Sequence, residues 1–240
     1  MIAVDIGNTY MHFVWFRHGK VDKVKILPTA TATSGQIKKT LSLRRNEQVI
    51  ICTVVPAALS KFRSLGKNIY VAGKDLAVPI KSLYNPRHIG MDRLVGAYAA
   101  YNLFPRVRMV IDFGTAITMD FLSPKGVYQG GIILPGIGST QQVLSQCALL
   151  PKKIVLRKSA KLIPTNTPES LSKGIEAGFS AMLNGLFASY KRVLKITAKD
   201  SIVITGGEAP LITPYLNFNY RYEPFLVGKG LFLLAEQANF

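Results

Sequence analysis

The sequence predicts an α/β fold that occurs twice along the chain, each copy a mixed β-sheet flanked by helices. One observation is a repeated segment: Val4-Asp5-Ile6-Gly7-Asn8-Thr9 and Ile111-Asp112-Phe113-Gly114-Thr115-Ala116 each run from an apolar strand into an Asp-x-Gly turn. Another is a constant interval of 107 positions, which separates Asp5 from Asp112, Gly7 from Gly114 and Gly19 from Gly126. A duplication follows, with one domain over 1–105 and another over 106–240.

The duplication predicts a cleft between two similar halves, where both turns reach one polyphosphate. A glycine lets the backbone approach a bound group, and exposed N–H groups with Ser or Thr hydroxyls suit phosphate oxygens. An Asp beside them can hold a cation that offsets the phosphate charge. The alternative is that Asp-x-Gly is simply a common turn in β-rich proteins, but the matched third glycine, Gly126, favours the duplication.

The first half reads as strands followed by alternating helix and strand. Apolar periodicity predicts strands over 2–5, 10–16 and 21–27, a loop and amphipathic helix over 29–43, and strands over 49–54 and 68–71. Asn85-Pro86 and Ile89-Gly90 then predict a loop. Helical spacing begins at Met91, which places Asp92 and Arg93 in the first turn of a helix, where the dipole favours a carboxylate. The alternative is that both are ordinary surface charges.

The second half restarts after Pro105-Arg106 and predicts a helix over 139–149 and a basic, extended segment over 151–162. In Asn166-Thr167-Pro168-Glu169, Thr167 is the expected N-cap and Pro168 the first helical residue. A helix N-terminus is also a good anion site. The strand over 201–205 opens onto Gly206 and Gly207, which suit either a flat ligand such as adenine or a bare strand-to-helix turn. An apolar helix ends the chain.

Composition narrows the classes of protein. The 240 residues are 48% hydrophobic and 18% charged, as in a globular protein. The sequence lacks both an apolar run of about 18 residues that could cross a membrane and a signal-peptide pattern, so we expect a cytoplasmic protein.

Cys52 and Cys147 fit no metal spacing and are expected to be reduced core thiols. The net charge of +17 fits a nucleic-acid binder, the accumulation of anionic substrates near a cleft, or a basic proteome. Nucleic acid is not expected as the primary partner, because the basic clusters are not interleaved with aromatics, and solvated faces are the simpler interpretation.

These segments together resemble the type III pantothenate kinases, in the superfamily of actin, sugar kinases and heat-shock chaperone ATPases. The matching segments are Asp5–Thr9, Thr53–Pro56, Asn85-Pro86, Gly90–Arg93, Asp112–Ala116, Gly130-Gly131 through Pro135-Gly136, Asn166-Thr167 and Thr205–Gly207. They occur in family order and cover nearly the whole chain. The most specific is Gly-x-Asp-Arg between two Asp-x-Gly motifs.

The resemblance implies two ribonuclease-H-like domains and a homodimer whose interface helps to form the substrate site. It implies ATP-dependent phosphorylation of the primary hydroxyl of pantothenate, the first step of coenzyme A synthesis. A potassium or ammonium ion is implied as well, with Mg²⁺ accompanying the nucleotide as a further option. A cytoplasmic enzyme without a membrane or nucleic-acid partner is expected.

The resemblance also implies roles for individual residues. Asp92 is the general base, and Arg93 holds the pantothenate carboxylate. Gly90 and Met91 line that pocket, and Thr167 reaches the substrate. The remaining implied roles concern ATP and its cation: Asp5, Ile6, Gly7, Asn8, Thr9, Tyr10, Met11 and His12 form the first phosphate turn, Thr115 contacts ATP, and Asp112 ligates the monovalent cation. Gly206 and Gly207, in a matching segment, are predicted to bind ATP as well.

Two positions depart from the family pattern. The family places a substrate-contacting Tyr seven residues before the Gly of Gly-x-Asp-Arg, but here that residue is Leu83 and the aromatic is Tyr84. His12 stands where some members carry Lys at the end of the first phosphate turn, and a neutral His donates less to a phosphate. Another small-molecule kinase of the superfamily and a regulatory or nucleic-acid-binding protein on the same scaffold are the alternative functions.

Overall fold

The structure is a computed structural model that describes residues 1–43, 47–62, 65–66, 68–85, 88–151, 156 and 162–238. The strands are β1 (Ile2–Ile6), β2 (Tyr10–Arg17), β3 (Lys20–Pro28), β4 (Val49–Thr53), β5 (Ile69–Val71), β6 (Val107–Phe113), β7 (Ala116–Leu122), β8 (Tyr128–Pro135), β9 (Ser201–Thr205) and β10 (Arg221–Tyr222). The helices are α1 (Ser34–Leu41), α2 (Met91–Leu103), α3 (Ile137–Ser145), α4 (Thr167–Val193), α5 (Ala209–Ile212) and α6 (Leu226–Gln237).

The two sheets have the same topology. The first has the strand order β3-β2-β1-β4-β5 and the second β10-β9-β6-β7-β8, so that β1 and β6 hold equivalent central places. Each central strand pairs antiparallel with the strand that follows it and parallel with β4 or β9. Gly19 and Gly126, 107 positions apart, have φ angles of 75° and 74°. The predicted duplicated α/β fold with mixed sheets is confirmed.

The two turns of the repeat differ in length. Ile6 pairs with Met11 across the first turn, whereas Phe113 pairs with Ile117 across the second. The second turn is therefore one residue shorter, although the spacing of the glycines is unchanged. The pairing of β2 with β3 has an irregular register between Trp15 and Phe16.

The chain packs into two compact units. One comprises 1–105, 122–130 and 225–240, and the other comprises 106–121 and 131–224. The division into domains at residues 105 and 106 remains a prediction.

In the first unit, alternate residues of the central strand face opposite sides of the sheet. Ile2, Val4 and Ile6 pack with α1, while Ala3 packs on the face covered by α2 and α6. The helices α2 and α6 approach closely at Gly230, where a Cβ would lie 2.7 Å from Cγ1 of Val95. Cys52 lies on this second face, together with its paired residue Asp5.

In the second unit, one apolar core lies between the sheet and the helices α3 and α4, with contributions from β6, β7 and β9. The helix α3 runs over 137–145, starting two residues before and ending four residues before the predicted helix over 139–149. The predicted extended segment over 151–162 lies largely outside the described residues. Among the residues that the structure describes, no helix is long and apolar enough to span a membrane.

The two cysteines have different environments. Cys52 is fully buried in β4, as predicted for a core thiol, but Cys147 is exposed. The prediction was wrong for Cys147 because α3 ends at Ser145, and the following residues lie outside the core.

Candidate functional site

The first Asp-x-Gly turn is fixed by hydrogen bonds on both sides. The Gly7 N–H donates to the Tyr10 carbonyl at 3.0 Å, and the Thr29 N–H donates to the Thr9 carbonyl at 2.9 Å. The Thr29 hydroxyl donates to the Gly7 carbonyl at 2.7 Å. Asn8, Thr9 and Tyr10 remain exposed. The sequence did not predict this role of Thr29, because the residue lies in a loop and belongs to no motif.

The residues that flank this turn differ in what they can offer a ligand. The side chains of Ile6 and Met11 are fully buried in the core, so only their backbone groups can reach a bound molecule. His12 is half-buried, and burial lowers the pKa of its imidazole. The lowered pKa favours the neutral form of the ring near pH 7.

Asp5 lies in a row with His12 and Cys52 across three adjacent strands. Asp5 pairs with His12 on β2 and with Cys52 on β4, and directly paired residues share one face of a sheet. Burial raises the pKa of the Cys52 thiol well above its ordinary value, and the charges of Asp5 and Asp92 raise it further. Asp5 is therefore paired directly with Cys52, and the charge of Asp92 also acts on this thiol within the first unit.

Asp92 and Arg93 lie in the first turn of α2, as predicted. The Arg93 N–H donates to Oδ1 of Asp92 at 2.8 Å and to the Gly90 carbonyl at 3.1 Å. A Cβ at Gly90 would lie 2.5 Å from the same Oδ1 and 3.5 Å from Cγ1 of Val54. The absence of a side chain at Gly90 therefore makes room for the carboxylate in this orientation.

Met91, Leu83 and Tyr84 precede or follow this site in the chain and make contacts within the first unit. The Met91 side chain occupies the space that a Cβ at Gly73 would need, and Gly73 has a φ of 80°. Tyr84 is 47% exposed and Leu83 is 74% exposed. The Tyr84 ring lies 3.9 Å from the Cβ position of Gly130, while the Leu83 N–H donates to the Tyr128 carbonyl at 2.9 Å. Pro86 lies outside the described residues.

In the second unit, the Asp112–Ala116 turn is held by the start of α3. The Gly114 N–H donates to the Ala116 carbonyl at 3.1 Å, and the Gly136 N–H donates to the Thr115 carbonyl at 3.2 Å. The Ser139 hydroxyl donates to the same carbonyl at 2.6 Å. A Cβ at Gly136 would overlap the carbonyls of Gly114 and Thr115. Gly136 is therefore a packing requirement, and Thr115 itself stays exposed.

Gly206 and Gly207 have different roles. Gly206 has a φ of 95°, and a Cβ there would overlap the backbone of Phe113 and lie 2.6 Å from Oδ1 of Asp112. Gly207 is exposed, and a Cβ there would meet nothing within 4 Å. The turn thus needs Gly206 for its own packing, whereas the open space at Gly207 leaves its backbone accessible to a ligand.

The start of α4 corrects one prediction. Asn166, not Thr167, is the N-cap: it has extended backbone with φ −146° and ψ 159°, and its Oδ1 accepts a hydrogen bond from the Glu169 N–H at 3.0 Å. Thr167 is the first helical residue, and Pro168 is the second. Since Asn166 caps the helix, the exposed Thr167 side chain is not needed for that purpose.

A family model described as type III pantothenate kinase matches residues 1–189. The chain belongs to the type III pantothenate kinase family. A type III pantothenate kinase of Zymomonas mobilis is 37% identical, with 99% of this chain and 92% of that protein covered. Another, from Persephonella marina, is 32% identical, with 97% and 96% covered. The chain therefore spans nearly the full length of these type III pantothenate kinases.

Solved structures share the fold. A conserved Campylobacter jejuni protein, provisionally described as a Baf family transcriptional activator, matches with a TM-score of 0.65 at 21% identity, covering 100% of this chain and 99% of that one. A ROK family glucokinase from Streptomyces griseus, in complex with glucose and AMPPNP, matches with a TM-score of 0.53 at 9% identity, covering 99% of each chain. At these identities the likeness concerns the fold alone.

The motif residues of the type III pantothenate kinase family thus form one group in each unit. The charges of Asp5 and Asp92 both act on Cys52 in the first unit, and Asp112 and Gly206 are in contact at the end of β6 in the second. Among the described residues, no group of three or more His, Cys, Asp or Glu side chains could hold a metal ion. A cation at Asp112 would therefore depend largely on backbone or ligand oxygens.

Proposed function

We propose that the protein transfers the γ-phosphoryl group of ATP to the primary hydroxyl of pantothenate, as the first step of coenzyme A synthesis. The observation that carries this proposal is the family match over 1–189, together with Asp92 and Arg93 in the first turn of α2. Phosphoryl transfer requires alignment and charge neutralisation more than covalent chemistry. Residues with fixed geometry at helix starts and tight turns meet that requirement.

Asp92 is the proposed general base. Its Oδ1 accepts the Arg93 N–H, and the start of a helix favours a negative charge, so the charged carboxylate is held in a fixed orientation. A carboxylate in hydrogen-bond reach of the attacking hydroxyl orients it and takes its proton as the new bond forms. The Arg93 guanidinium binds the pantothenate carboxylate, because its planar fork can donate two parallel hydrogen bonds.

Further substrate contacts are proposed around this pair. Gly90 and Met91 line the pantothenate pocket, with the exposed hydroxyl of Thr167 and the exposed ring of Tyr84 as additional contacts. The exposure of the Tyr84 ring leaves it accessible for such a contact.

ATP is proposed to bind through backbone N–H groups of the two Asp-x-Gly turns. The turn over 5–12 offers its phosphate contacts through the exposed residues Asn8 and Thr9, and Thr115 supplies another contact. The accessible backbone at Gly207, with Gly206 beside it, suits the flat face of the adenine base. Mg²⁺ accompanies the nucleotide in this proposal.

A potassium or ammonium ion is proposed at Asp112. The chemistry of Asp112 suits such an ion, because its half-buried carboxylate lies at the end of β6 beside the Gly206 turn. Carboxylate and carbonyl oxygens are the ligands that hard cations prefer. Such an ion would offset part of the phosphate charge.

The active form is proposed to be a cytoplasmic homodimer. A 350 Å³ groove between α3 and α4 is lined by apolar residues that include Leu144, Ile175 and Met182. Gly174 and Gly178 also line this groove, and a Cβ at either would meet nothing within 4 Å. A second copy that covers this groove would bury the apolar side chains that line it.

The test is ATP consumption by the purified protein in potassium buffer, with and without pantothenate, with mass spectrometry of the product. We expect ADP and a monophosphorylated pantothenate to form in equal amounts. ATP consumption that does not depend on pantothenate would contradict the proposal. Glucose, which carries no carboxylate for Arg93, is the control acceptor.

A further inference from the structure

Glu208 joins three segments of the second unit, although the family motif gives it no role. It follows Gly207 and precedes α5. Its backbone N–H donates to the Phe113 carbonyl at the end of β6, at 3.2 Å. The residue is therefore attached to the strand that carries Asp112.

The Glu208 carboxylate binds the start of α3. The Gly138 N–H lies 3.1 Å from Oε1 and 3.3 Å from Oε2. Burial raises the pKa of Glu208, and hydrogen bonds from the backbone of Gly138 and Ile137 oppose this effect. The carboxylate thus occupies the positive end of the helix, where a negative charge is favoured.

Gly138 is adapted to this contact. A Cβ at this position would lie 2.6 Å from Oε1 of Glu208, and the next nearest atom, Cδ of the same side chain, would be 3.7 Å away. Alanine at 138 would therefore displace the carboxylate and contact no other residue closely. The two positions depend on each other.

The start of α3 also holds the Asp112–Ala116 turn. Gly136 and Ser139, on either side of Gly138, both donate to the Thr115 carbonyl, at 3.2 Å and 2.6 Å. A displacement of the helix start would therefore move the acceptor that these two donors fix, and Thr115 with it.

We propose that Glu208 is a positioning residue, whose carboxylate holds the start of α3 so that the Thr115 turn is set to receive ATP. The inference rests on the proposed ATP site. Glu208 acts through Gly138, Gly136 and Ser139 and does not touch the nucleotide. Its effect should therefore appear in the affinity for ATP, while the chemistry at Asp92 is unchanged.

The test compares E208A, E208Q and wild type by steady-state kinetics and by calorimetric titration with ATP. Loss of a hydrogen bond to a charged group predicts a KM and Kd for ATP about tenfold higher in E208A. We expect kcat and the KM for pantothenate to stay within about twofold. The lost interaction contributes equally to ATP binding in the ground state and in the transition state, and such a loss raises the KM for ATP without lowering kcat. E208Q retains an acceptor oxygen and should recover most of the affinity. E236A, at an exposed position of α6, is the control.

A double-mutant cycle separates positioning from a general loss of stability. G138A alone should weaken ATP binding as E208A does, but it should add little in the E208A background, where nothing is left to displace. Equal effects of G138A in both backgrounds would overturn the proposal, as would unchanged ATP affinity in E208A or an equal fall in kcat and kcat/KM. If E208A fails to fold, folded G138A carries the test by itself, and an unchanged ATP affinity in G138A would overturn the proposal.

The two proposals fail in different ways. Wild-type protein that does not bind ATP would overturn the proposed function and the role of Glu208 with it. Wild-type protein that binds ATP and phosphorylates pantothenate, beside an E208A variant with the same ATP affinity, would overturn only the role of Glu208.

Discussion

Oδ1 of Asp112 lies 2.6 Å from the position that a Cβ would take at Gly206. The Asp112 side chain, the proposed cation ligand, therefore packs against the backbone of Gly206 in the turn that follows β9. The two residues are 94 positions apart in the sequence. Gly206 and its neighbour Gly207 offer a direct test of this relationship.

Alanine should be tolerated at 207 but not at 206. The φ of 95° and the overlap with Phe113 predict that G206A lowers the free energy of unfolding by about 2–4 kcal/mol. G207A, with nothing within 4 Å of its Cβ, should change it by less than about 1 kcal/mol. Urea denaturation measures both. Equal stability of the two variants would contradict this assignment of roles.

Removal of the proposed base should abolish most turnover. D92N keeps the size of the side chain but cannot accept a proton as the hydroxyl attacks, so kcat should fall by about 10²- to 10⁴-fold. The melting temperature and the oligomeric state should change little. D22N, at an exposed position of β3, is the matched control and should retain full activity. Near-normal turnover in D92N would exclude Asp92 as the base.

The monovalent ion should control activity through Asp112. Replacing potassium with sodium should suppress turnover, since the smaller ion needs shorter oxygen distances than a site of fixed backbone offers. Ammonium should substitute for potassium. D112N should be much less active and should lose the difference between the two salts. Equal wild-type rates in potassium and sodium would contradict the role of Asp112.

Asp200 should make stability depend on pH. Burial acts to raise its pKa, but hydrogen bonds from Thr197 and Arg106 and the Arg106 charge outweigh it, so the pKa is lowered. A lowered folded pKa gives stability that is complete above the unfolded value of about 3.9 and is lost as pH falls through the folded value.

The measurement is urea unfolding of D200N and wild type at pH 7 and pH 3. The Asp200 side chain is only 4% exposed, so D200N should be less stable by about 1–2 kcal/mol at pH 7. The difference in the free energy of unfolding between D200N and wild type should be smaller at pH 3. The exposed pair of Arg17 and Asp22 gives the control, since D22N should show almost no such difference at either pH. If the difference in stability between D200N and wild type is the same at pH 3 as at pH 7, the lowered pKa of Asp200 does not contribute to the pH dependence of stability.

The proposed dimer should depend on the groove between α3 and α4. G178E places a charge in this groove, and the glycine-to-glutamate change itself favours a helix, so the protomer should stay folded while the dimer dissociates. G185E is the matched control, because Gly185 lies on the same helix, has the same open surroundings and does not line the groove. Light scattering after size exclusion distinguishes a protomer from a dimer. A dimeric G178E would rule out this groove as the interface.

Much of the fold could be predicted because its signals are local. Apolar segments marked β1 to β4, and the spacing from Met91 marked α2 to the residue. The 107-residue interval predicted the duplication, which appears in the equal φ angles of Gly19 and Gly126. The placement of Asp92 in the first turn of a helix also followed from local breakers, Pro86 and Gly90.

Other features could not be predicted, because they depend on backbone angles or on distant partners. Asn166 and Thr167 are both good N-cap residues, and only the extended backbone at 166 decided between them. The contact of Thr29 with Gly7 joins residues 22 positions apart, and that of Glu208 with Gly138 joins residues 70 positions apart. Neither pair has a sequence spacing that marks it.

The sequence by itself determined the duplicated α/β fold, the two Asp-x-Gly turns and the family of the chain, because strands, turns and motifs are set by residues close together in the chain. Only the tertiary structure decided which glycine is needed for packing and which is open, and which carboxylate holds a helix start. Those answers depend on the space around each atom, and that space is filled by residues far away in the sequence.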